Sequence, residues 1–243
     1  MAKLRIDVLL ARKGLAESRE KAKILVMAGT VYLGGERVSR PDRVVDEGAP
    51  IEVRRNPLAY VGFGGVKLER AVTEFAIDVN GKVAIDIGSS TGGFVDCLLQ
   101  SGASRVYAID VGTHQLHEKL RADPRVKVLE RMNARLLTPD NIGEKADIIT
   151  VDVSFISLKK IIPAVLPLLA PEGLLITLVK PQFEVGRYQV GKGGIVRDQE
   201  RIGGVLDDMR HFGATLSLRA AHVAEAPRER ERKNREYFIL WER

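Results

Sequence analysis

Long apolar runs and cysteines are scarce in this chain. No hydrophobic stretch approaches the length of about 18 residues that a membrane-spanning helix needs, so no such helix is predicted. The single cysteine, Cys97, excludes an intrachain disulfide. The opening MAKLRID has neither the apolar core nor the small-residue cleavage site of a secretory signal. We therefore expect a cytoplasmic protein whose 243 residues, 45% of them hydrophobic, form one or two globular domains.

Two phosphate-binding motifs are also absent. A dinucleotide fingerprint needs G-x-G-x-x-G, and a P-loop needs Gly-Lys-Ser or Gly-Lys-Thr at the start of a helix. The stretch VAIDIGSSTGGF, residues 83–94, instead spaces its glycines as G-x-x-x-G-G and carries no lysine. Its β-branched run and its glycines predict a strand, a turn and a helix that cradle a ligand at close range. A strand, turn and helix without any ligand is the alternative that this stretch alone leaves open.

Positive charge is concentrated near the N terminus. Residues 1–55 carry 12 Lys and Arg against 8 Asp and Glu, whereas the remaining 188 residues carry 26 against 24. A basic module joined to a nearly neutral domain predicts delivery to a polyanion such as RNA. Surface lysines that serve solubility alone are the simpler explanation, which charge by itself does not exclude.

The basic module reads as a small α+β unit. The pattern predicts helices over 5–13 and 19–28, a hairpin over 30–38 closed at Gly34-Gly35, and a strand over 49–53. Several of its basic side chains are predicted to face outward. We name five of them as candidate RNA-binding residues: Arg5, Arg19, Lys21, Lys23 and Arg37. A solvated helix face is the competing interpretation.

Beyond a predicted linker over 55–65, strands and helices alternate to the end of the chain. Domains are accordingly predicted over 1–54 and 66–243. Strands are expected over 83–87, 105–110, 126–129, 147–152, 173–179, 215–223 and 236–241, and helices over 66–75, 93–101, 114–121, 159–169 and 198–212. Such alternation predicts a doubly wound, mostly parallel α/β sheet whose site lies at the carboxyl ends of the strands.

Polar residues at those strand ends favour an adenosine-bearing cofactor. Asp110 ends the second strand, where a carboxylate suits the two hydroxyls of a ribose, and Asn133 follows the third, where an amide could meet an adenine edge. Without a phosphate cradle, the ligand that fits best is S-adenosylmethionine. The predicted cofactor-binding residues are Asp86, Gly88, Ser89, Ser90, Thr91, Gly92, Gly93, Phe94, Asp110 and Asn133. Taken alone, Asp110 could instead be a helix cap before Gly112 and Thr113.

A metal site is not predicted. His114 and His117 are three residues apart with Glu118 adjacent, but no H-E-x-x-H pattern or further ligand cluster accompanies them.

Four charged residues form the candidate catalytic set. The fourth strand ends at Asp152 and the fifth at Lys180, and parallel topology brings such strand ends together. Lys67 precedes the sheet and Glu236 opens its last strand. Lysine suits the removal of a proton from a ribose hydroxyl, because burial and neighbouring charges tune its pKa. We predict Lys180 as the base or proton-withdrawing group, Asp152 as its orienting partner, Lys67 as the stabiliser of the developing alkoxide, and Glu236 as the holder of the lysines and ribose. Two ordinary ion pairs remain the alternative.

Two resemblances sharpen these predictions. RIDVLL, SREKAKILVMAGTVYLGGERV and GAPIEV resemble the small RNA-binding domain first described in ribosomal protein four of the small subunit. The whole chain resembles the TlyA family of ribosomal RNA 2′-O-methyltransferases, historically called hemolysins. The second resemblance is carried by GGVKLERA, DIGSSTGGF, DVGTHQL, DVSFISL, VKPQFEVG, VGKGGIVRD and KNREYF. The chain departs from the family at residues 62–63, which are Gly-Phe rather than Ser-Arg, and at Lys233, where many members have glycine.

The resemblance implies a Rossmann-like methyltransferase domain, S-adenosylmethionine as cofactor, and ribosomal RNA or a ribosomal subunit as partner. It places the family's Lys-Asp-Lys-Glu tetrad on Lys67, Asp152, Lys180 and Glu236. Short termini resemble members that act on the large subunit, so a cytidine of its RNA is the expected target. Lys192 and Arg197 are further candidate RNA-binding residues near the substrate.

Three other functions stay open. A base N-methyltransferase would stack a flipped base on an aromatic ring, typically with D-P-P-Y or N-P-P-Y after the fourth strand, where this chain has DVSF over 152–155. A membrane-lytic hemolysin would need a spanning segment or a long amphipathic helix. A non-catalytic RNA-binding module would need no catalytic lysine at all.

Overall fold

The structure is a computed structural model that describes residues 3–27, 29–53, 59–186, 190–191, 193–228 and 233–243. These residues form two compact units, of which the first ends at Phe63 and the second begins at Gly64.

The first unit is a pair of helices with two small antiparallel sheets. Its elements are β1 (Lys3–Arg5), α1 (Ile6–Arg12), α2 (Arg19–Met27), β2 (Val31–Leu33), β3 (Glu36–Arg37), β4 (Val44–Asp46) and β5 (Ile51–Val53). Strand β1 pairs with β4, and β2 lies between β3 and β5. Apolar residues of both helices and of the hairpin form its core, including Ile6, Leu10, Leu25 and Val31.

Local signals explain most of this unit. The hydroxyl oxygen of Ser18 accepts a hydrogen bond from the backbone N–H of Lys21 at 3.2 Å, which caps α2 as the sequence predicts. Gly34 and Gly35 close the hairpin with φ of 57° and 86°, angles that glycine adopts without strain. The sheet of β1 and β4 escaped prediction, because three-residue strands carry no readable alternation.

The second unit is an α/β domain built on seven strands. Its elements are α3 (Phe63–Glu74), β6 (Val83–Ile87), α4 (Gly93–Gln100), β7 (Arg105–Ile109), α5 (Glu118–Arg121), β8 (Val126–Leu129), α6 (Pro139–Ile142), β9 (Ala146–Val151), α7 (Ile162–Val165), β10 (Leu169–Val179), α8 (Pro181–Glu184), α9 (Gln199–Thr215), β11 (Arg219–Glu225) and β12 (Tyr237–Glu242). The strand order is β11-β12-β10-β9-β6-β7-β8. Four neighbouring pairs are parallel, and the two that involve β12 are antiparallel. The predicted mostly parallel sheet is confirmed.

Two predicted helices are shorter than expected. The helix predicted over 114–121 covers only Glu118–Arg121, because His114 has a φ of 53° and the ring of His117 accepts the N–H of Lys119 as a cap. The helix predicted over 159–169 is a single α-turn, Ile162–Val165, between two 3₁₀ turns. Pro163 and Pro167 lack the N–H donors that a continuous helix requires.

Parallel pairing places the ends of five strands along one edge of the sheet. We call this the carboxyl edge, where β6, β7, β8, β9 and β10 all end. Strand β12 runs the opposite way, and its first residue, Tyr237, pairs with the last residue of β10, Val179. The residues that follow β9 and β10 and those that precede β12 therefore meet at the carboxyl edge.

Candidate active site

Two lysine–carboxylate pairs lie at the carboxyl edge. The Nζ of Lys180 is 2.6 Å from Oδ1 of Asp152, and the Nζ of Lys67 donates to Oε2 of Glu236 at 2.6 Å. All four side chains are mostly shielded from solvent. Among the predicted catalytic residues, the structure thus pairs Lys180 with Asp152 as the sequence suggested, and it assigns Lys67 to Glu236.

Sheet register explains how three of these residues meet. Asp152 directly follows β9, and Lys180 directly follows the adjacent strand β10. Glu236 directly precedes β12, so the pairing of Val179 with Tyr237 brings it beside Lys180 in register. Lys67 comes from α3, which precedes the sheet in sequence.

Two residues of the loop after Asp152 escaped prediction. Lys180 Nζ also donates a hydrogen bond to the hydroxyl oxygen of Ser154 at 2.9 Å. Phe155 is 91% exposed, has a φ of 65°, and its ring centroid lies 5.1 Å from that of Phe183. Phenylalanine rarely adopts a positive φ and is seldom this exposed. The loop therefore exposes the ring at a conformational cost. The sequence DVSF contains both residues, but no periodic pattern distinguishes them from ordinary loop residues.

The glycines of the turn after β6 are required by neighbours within the protein. Gly88 has a φ of 86°, and a Cβ there would lie 2.3 Å from the backbone oxygen of Asp152. A Cβ on Gly92 would overlap the side chains of Leu116 and Leu120, and one on Gly93 would lie 2.8 Å from the backbone nitrogen of Gly65. Close approach to a ligand was the predicted reason for these glycines, but internal packing already demands them. Gly88 ties the turn directly to the catalytic loop.

Asp110 joins this turn to the loop after β7. Its Oδ2 accepts the backbone N–H of Ser90 at 2.8 Å, and its Oδ1 accepts that of Gly112 at 2.7 Å. Ser90 has a φ of 46°, a strained value that the bond to Asp110 helps to hold. Asp110 therefore does cap nearby backbone N–H groups, as the alternative interpretation held. Each oxygen keeps a second lone pair that a ribose hydroxyl could use.

The remaining predicted cofactor residues differ in accessibility. Ser90 and Thr91 are exposed at the turn, and Ser89 is buried beneath it. Phe94 is also buried, with its ring 6.0 Å from that of Phe238, so it contributes to the core. Asn133 caps the 3₁₀ turn Ala134–Leu136 through its side-chain oxygen, which leaves its amide nitrogen as the group that could donate to an adenine.

Asp86 is a buried carboxylate inside β6. The hydroxyl of Thr150 donates to its Oδ1 at 2.7 Å, while its Oδ2 has no hydrogen-bond partner within the described chain. Burial raises the pKa of Asp86 to about 7, and the negative charges of Asp152 and Asp110 act in the same direction. The unpartnered oxygen marks a position where a bound donor would be stabilised.

In the first unit, a buried carboxylate organises two of the predicted RNA-binding residues. Asp7 accepts Nε and a terminal nitrogen of Arg5 at 3.1 and 2.9 Å, and Nε of Arg19 at 3.1 Å. Burial opposes ionisation of Asp7, but the two guanidinium groups outweigh it and hold its pKa below the ordinary value. Asp7 was not predicted as a functional residue, although its place between arginine-bearing segments was the available signal.

The other predicted RNA-binding residues have different surroundings. Lys21 is half-buried, and its Nζ donates to the backbone oxygen of Val61 at 2.9 Å, so it does not point freely outward. Lys23 lies 3.6 Å from Glu20 on the same helix. The exposed Arg37 has its guanidinium over Gly29, where any side chain would collide with it.

The loop before α9 carries the last two predictions. Arg197 is exposed, whereas Lys192 lies outside the described residues. Asn234, a residue that prediction missed, accepts the N–H of Val196 at 2.8 Å and donates to the oxygen of Gly194 at 2.8 Å. The loop is thereby fixed to the segment that carries Glu236.

Neither a metal centre nor a membrane span is found in the part of the chain that the structure describes. No three His, Cys, Asp or Glu side chains there are grouped so as to hold a metal ion. None of the described helices combines the length and the apolar character needed to cross a bilayer.

Comparison with known proteins identifies both units. Residues 60–243 match the FtsJ-like methyltransferase family, and residues 4–51 match the S4 domain. The 16S/23S rRNA (cytidine-2′-O)-methyltransferase TlyA of Mycobacterium tuberculosis is 44% identical over 239 residues, which cover 98% of this chain and 88% of that protein. The 23S rRNA (cytidine-2′-O)-methyltransferase TlyA of Campylobacter jejuni is 36% identical over 183 residues, which cover 75% of this chain and 70% of that protein.

A solved structure agrees with these matches. A Streptococcus thermophilus protein named as a hemolysin superimposes with a TM-score of 0.77 at 41% identity, covering all of this chain and 89% of that one. The family model spans most of the chain, and the M. tuberculosis relative spans nearly all of it. The chain therefore belongs to the FtsJ-like methyltransferase family and, within it, to the TlyA proteins.

Proposed function

We propose that this protein transfers a methyl group from S-adenosylmethionine to the 2′-hydroxyl of a cytidine in ribosomal RNA. The observation that carries the proposal is the meeting of the Lys180–Asp152 and Lys67–Glu236 pairs at the carboxyl edge, beside a glycine turn. The two TlyA relatives are named for the same reaction. The large subunit is the proposed substrate because both relatives are named for 23S rRNA, and the M. tuberculosis relative is named for 16S rRNA as well.

The cofactor fits the residues at the turn. Asp110 offers carboxylate oxygens with free lone pairs, Asn133 offers an amide N–H, and Asp86 offers a buried oxygen without a partner. Ser90 and Thr91 are exposed on the same turn and add two hydroxyl groups. When bound, S-adenosylmethionine supplies the methyl group on a positively charged sulfur. The same turn meets Asp152 through Gly88, so the cofactor residues and the catalytic loop are held together.

Lys180 is the residue proposed to take the proton of the ribose hydroxyl. A hydroxyl is a poor nucleophile at neutral pH, so its proton must leave as its oxygen forms the new bond to carbon. Asp152 at 2.6 Å orients the lysine and stabilises the positive charge that it gains. Lys67 stabilises the developing negative charge on oxygen, and Glu236 holds Lys67 in place.

The proposed RNA contacts lie in both units. Arg5 and Arg19, held on Asp7, and Arg37 offer exposed guanidinium groups to phosphates. Lys23 and Arg197 add positive charge, and Lys21 and Lys192 remain candidates from the sequence. The exposed ring of Phe155 supports a target nucleotide that leaves its helix, because unstacked bases in RNA are commonly held on aromatic rings. An enzyme that modifies ribosomal RNA would work in the cytoplasm.

Methyl mapping on ribosomal particles tests the proposed function. The protein is incubated with labelled S-adenosylmethionine and separated 30S and 50S particles, and the modified nucleotide is located by nuclease digestion and mass spectrometry. We expect one ribose-methylated cytidine in the 50S particle, formed about a thousandfold more slowly with Lys180→Ala.

Other outcomes of the same experiment distinguish the alternatives. A methyl group on a base would favour an N-methyltransferase, and unchanged activity of Lys180→Ala would refute the proposed role of the lysine. A methyl group in the 30S particle would correct the choice of subunit. Lysis of liposomes by the purified protein without S-adenosylmethionine would revive the membrane-lytic alternative.

A further inference from the structure

Ser154 contacts the same nitrogen that is proposed to take the proton. Its hydroxyl oxygen accepts a hydrogen bond from Lys180 Nζ at 2.9 Å, and Asp152 lies 2.6 Å from that nitrogen on another side. Ser154 is exposed, whereas the lysine side chain is mostly buried. The serine therefore stands where the shielded nitrogen opens to solvent, the direction from which RNA must approach.

Tetrahedral geometry gives this contact a consequence. The Nζ atom of lysine has four bonding directions, of which one is its own Cε. The hydrogen bond to Ser154 occupies one of the other three and fixes the rotation about the Cε–Nζ bond, because Asp152 contacts Nζ as an ion pair without a hydrogen bond. We propose that Ser154 is a positioning residue that fixes the direction in which Nζ of Lys180 meets the ribose hydroxyl. This inference rests on the proposed function.

The proton balance shows what the serine does. Lys180 acts as the neutral amine, after its ammonium has released a proton to solvent. The O–H bond of the ribose breaks, and its proton joins the lone pair on Lys180 Nζ. The oxygen uses the freed electron pair to bond the methyl carbon, whose bond to sulfur breaks and leaves its electron pair on the now neutral sulfur. The neutral amine meanwhile donates one N–H to Ser154, and this hydrogen bond sets the direction of the lone pair. Without the serine, no hydrogen bond holds the amine, and rotation about the Cε–Nζ bond moves the lone pair away from the hydroxyl while the charge of Asp152 stays in place.

The loop holds Ser154 in place from both sides. Asp152 is fixed by its backbone N–H, which donates to the oxygen of Ile87 at 2.9 Å. Beyond Ser154, the carboxylate of Glu184 accepts the hydroxyl of Ser157 at 2.6 Å and the N–H of Leu158 at 2.8 Å. A loop anchored at both ends keeps the serine hydroxyl at a defined distance from the lysine.

Substitution of Ser154 tests the inference on the intact protein. Ser154→Ala should lower kcat about tenfold, the effect of one lost hydrogen bond at the reacting group, with KM for the 50S particle and Kd for S-adenosylmethionine unchanged. Ser154→Thr keeps the hydroxyl and should restore most of the rate. Ser104→Ala is the matched control. The hydroxyl of Ser104 also forms a hydrogen bond, which it donates to the backbone oxygen of Gly81 at 2.8 Å, but outside the active site, so its loss should leave kcat unchanged.

A double-mutant cycle separates this inference from the proposed function. If Ser154 acts through Lys180, then adding Ser154→Ala to Lys180→Ala should cause no further loss. An unchanged kcat in Ser154→Ala, or equal losses in the alanine and threonine variants, would overturn the inference and leave the proposed function standing. Absence of methyl transfer by the wild-type protein would instead overturn the proposed function, and full activity of Lys180→Ala would overturn the role proposed for the lysine.

Discussion

Both units of this protein contain carboxylates paired with cationic side chains, but the pairs differ in which partner is exposed to solvent. In the first unit the fully buried Asp7 holds two arginines whose side chains stay 42% and 47% exposed. In the second unit Asp152 and Glu236 each hold one lysine, and those lysine side chains are only 11% and 17% exposed. The carboxylate alone is hidden in the first case, whereas both the lysines and their carboxylates are hidden in the second.

The difference follows from the chemistry of the two cations. Arginine is always charged and carries five N–H donors, so a guanidinium anchored on one edge still offers its other edge to a phosphate. Lysine carries a compact nitrogen that can exchange a proton, and shelter from water lets neighbours control that exchange. A permanent, exposed charge suits RNA binding, whereas a sheltered, titratable one suits proton transfer.

The largest expected effect concerns the link between the cofactor turn and the lysine pairs. In Gly88→Ala the new Cβ would lie 2.3 Å from the oxygen of Asp152 in a backbone with φ of 86°, so the turn and the catalytic loop must separate. We expect methyl transfer to fall at least about a hundredfold, because a small misplacement of reacting groups has effects of this size.

The matched control is Gly81→Ala, where φ is 73° but nothing lies within 4 Å of the new Cβ. Its backbone strain should lower the melting temperature by a few degrees, with about 1 kcal/mol of destabilisation, and leave the rate nearly unchanged. Equal losses in the two variants would show that the turn and Asp152 are not coupled.

A second test concerns the arginine side of the comparison. Asp7→Asn removes the charge that holds Arg5 and Arg19, so we expect Kd for the 50S particle to rise about tenfold at fixed salt. The methylation rate at saturating particle should be unchanged. Asp42→Asn is the control. Asp42 accepts hydrogen bonds from two nitrogens of Arg40, which lies two residues before it just as Arg5 lies two residues before Asp7, but this pair is exposed. Equal Kd values for the two variants would contradict a special role of Asp7.

The smallest expected effect concerns Asp86, a buried carboxylate bonded by a hydroxyl instead of a cation. Its pKa of about 7 lies above the ordinary value of 3.8. Between these values the folded protein keeps a proton that the unfolded chain has released, so stability falls as pH rises through this window and levels off above it. Between pH 5 and pH 8 we expect this titration to lower the unfolding free energy of the wild type by about 2 kcal/mol, or its Tm by roughly 5 °C. Asp86→Asn should not show this decrease.

Thermal melts of the wild type and of Asp86→Asn at the two pH values provide the measurement. Asp78→Asn, a substitution of an exposed carboxylate, is the control and should follow the wild type. Parallel pH profiles for the wild type and Asp86→Asn would show that burial does not shift the titration of Asp86.

Contacts set by sheet topology could be predicted from the sequence, and contacts set by loop conformation could not. Asp152 and Lys180 end neighbouring parallel strands, so their meeting follows from the strand order. The contact of Ser154 depends on a loop whose next residue has φ of 65°, a conformation that no hydrophobic pattern indicates. The surroundings of Asp7 were equally hidden, because its backbone N–H donates to the oxygen of Pro41 in a loop that no hydrophobic pattern places beside it. The prediction of one helix over 159–169 was avoidable, because Pro163 and Pro167 are visible in the sequence and interrupt helices.

The most direct test of the account is the single-turnover rate of Lys180→Arg with saturating 50S particle and S-adenosylmethionine. The substitution keeps the positive charge beside Asp152 but removes the ability to accept a proton. The reciprocal exchange, Arg19→Lys, should weaken particle binding and leave this rate unchanged. We expect Lys180→Arg to lose about a thousandfold in rate while both ligands bind within about threefold of wild type. A rate close to wild type would contradict the account, because a fixed charge would then suffice at the position of the proposed base.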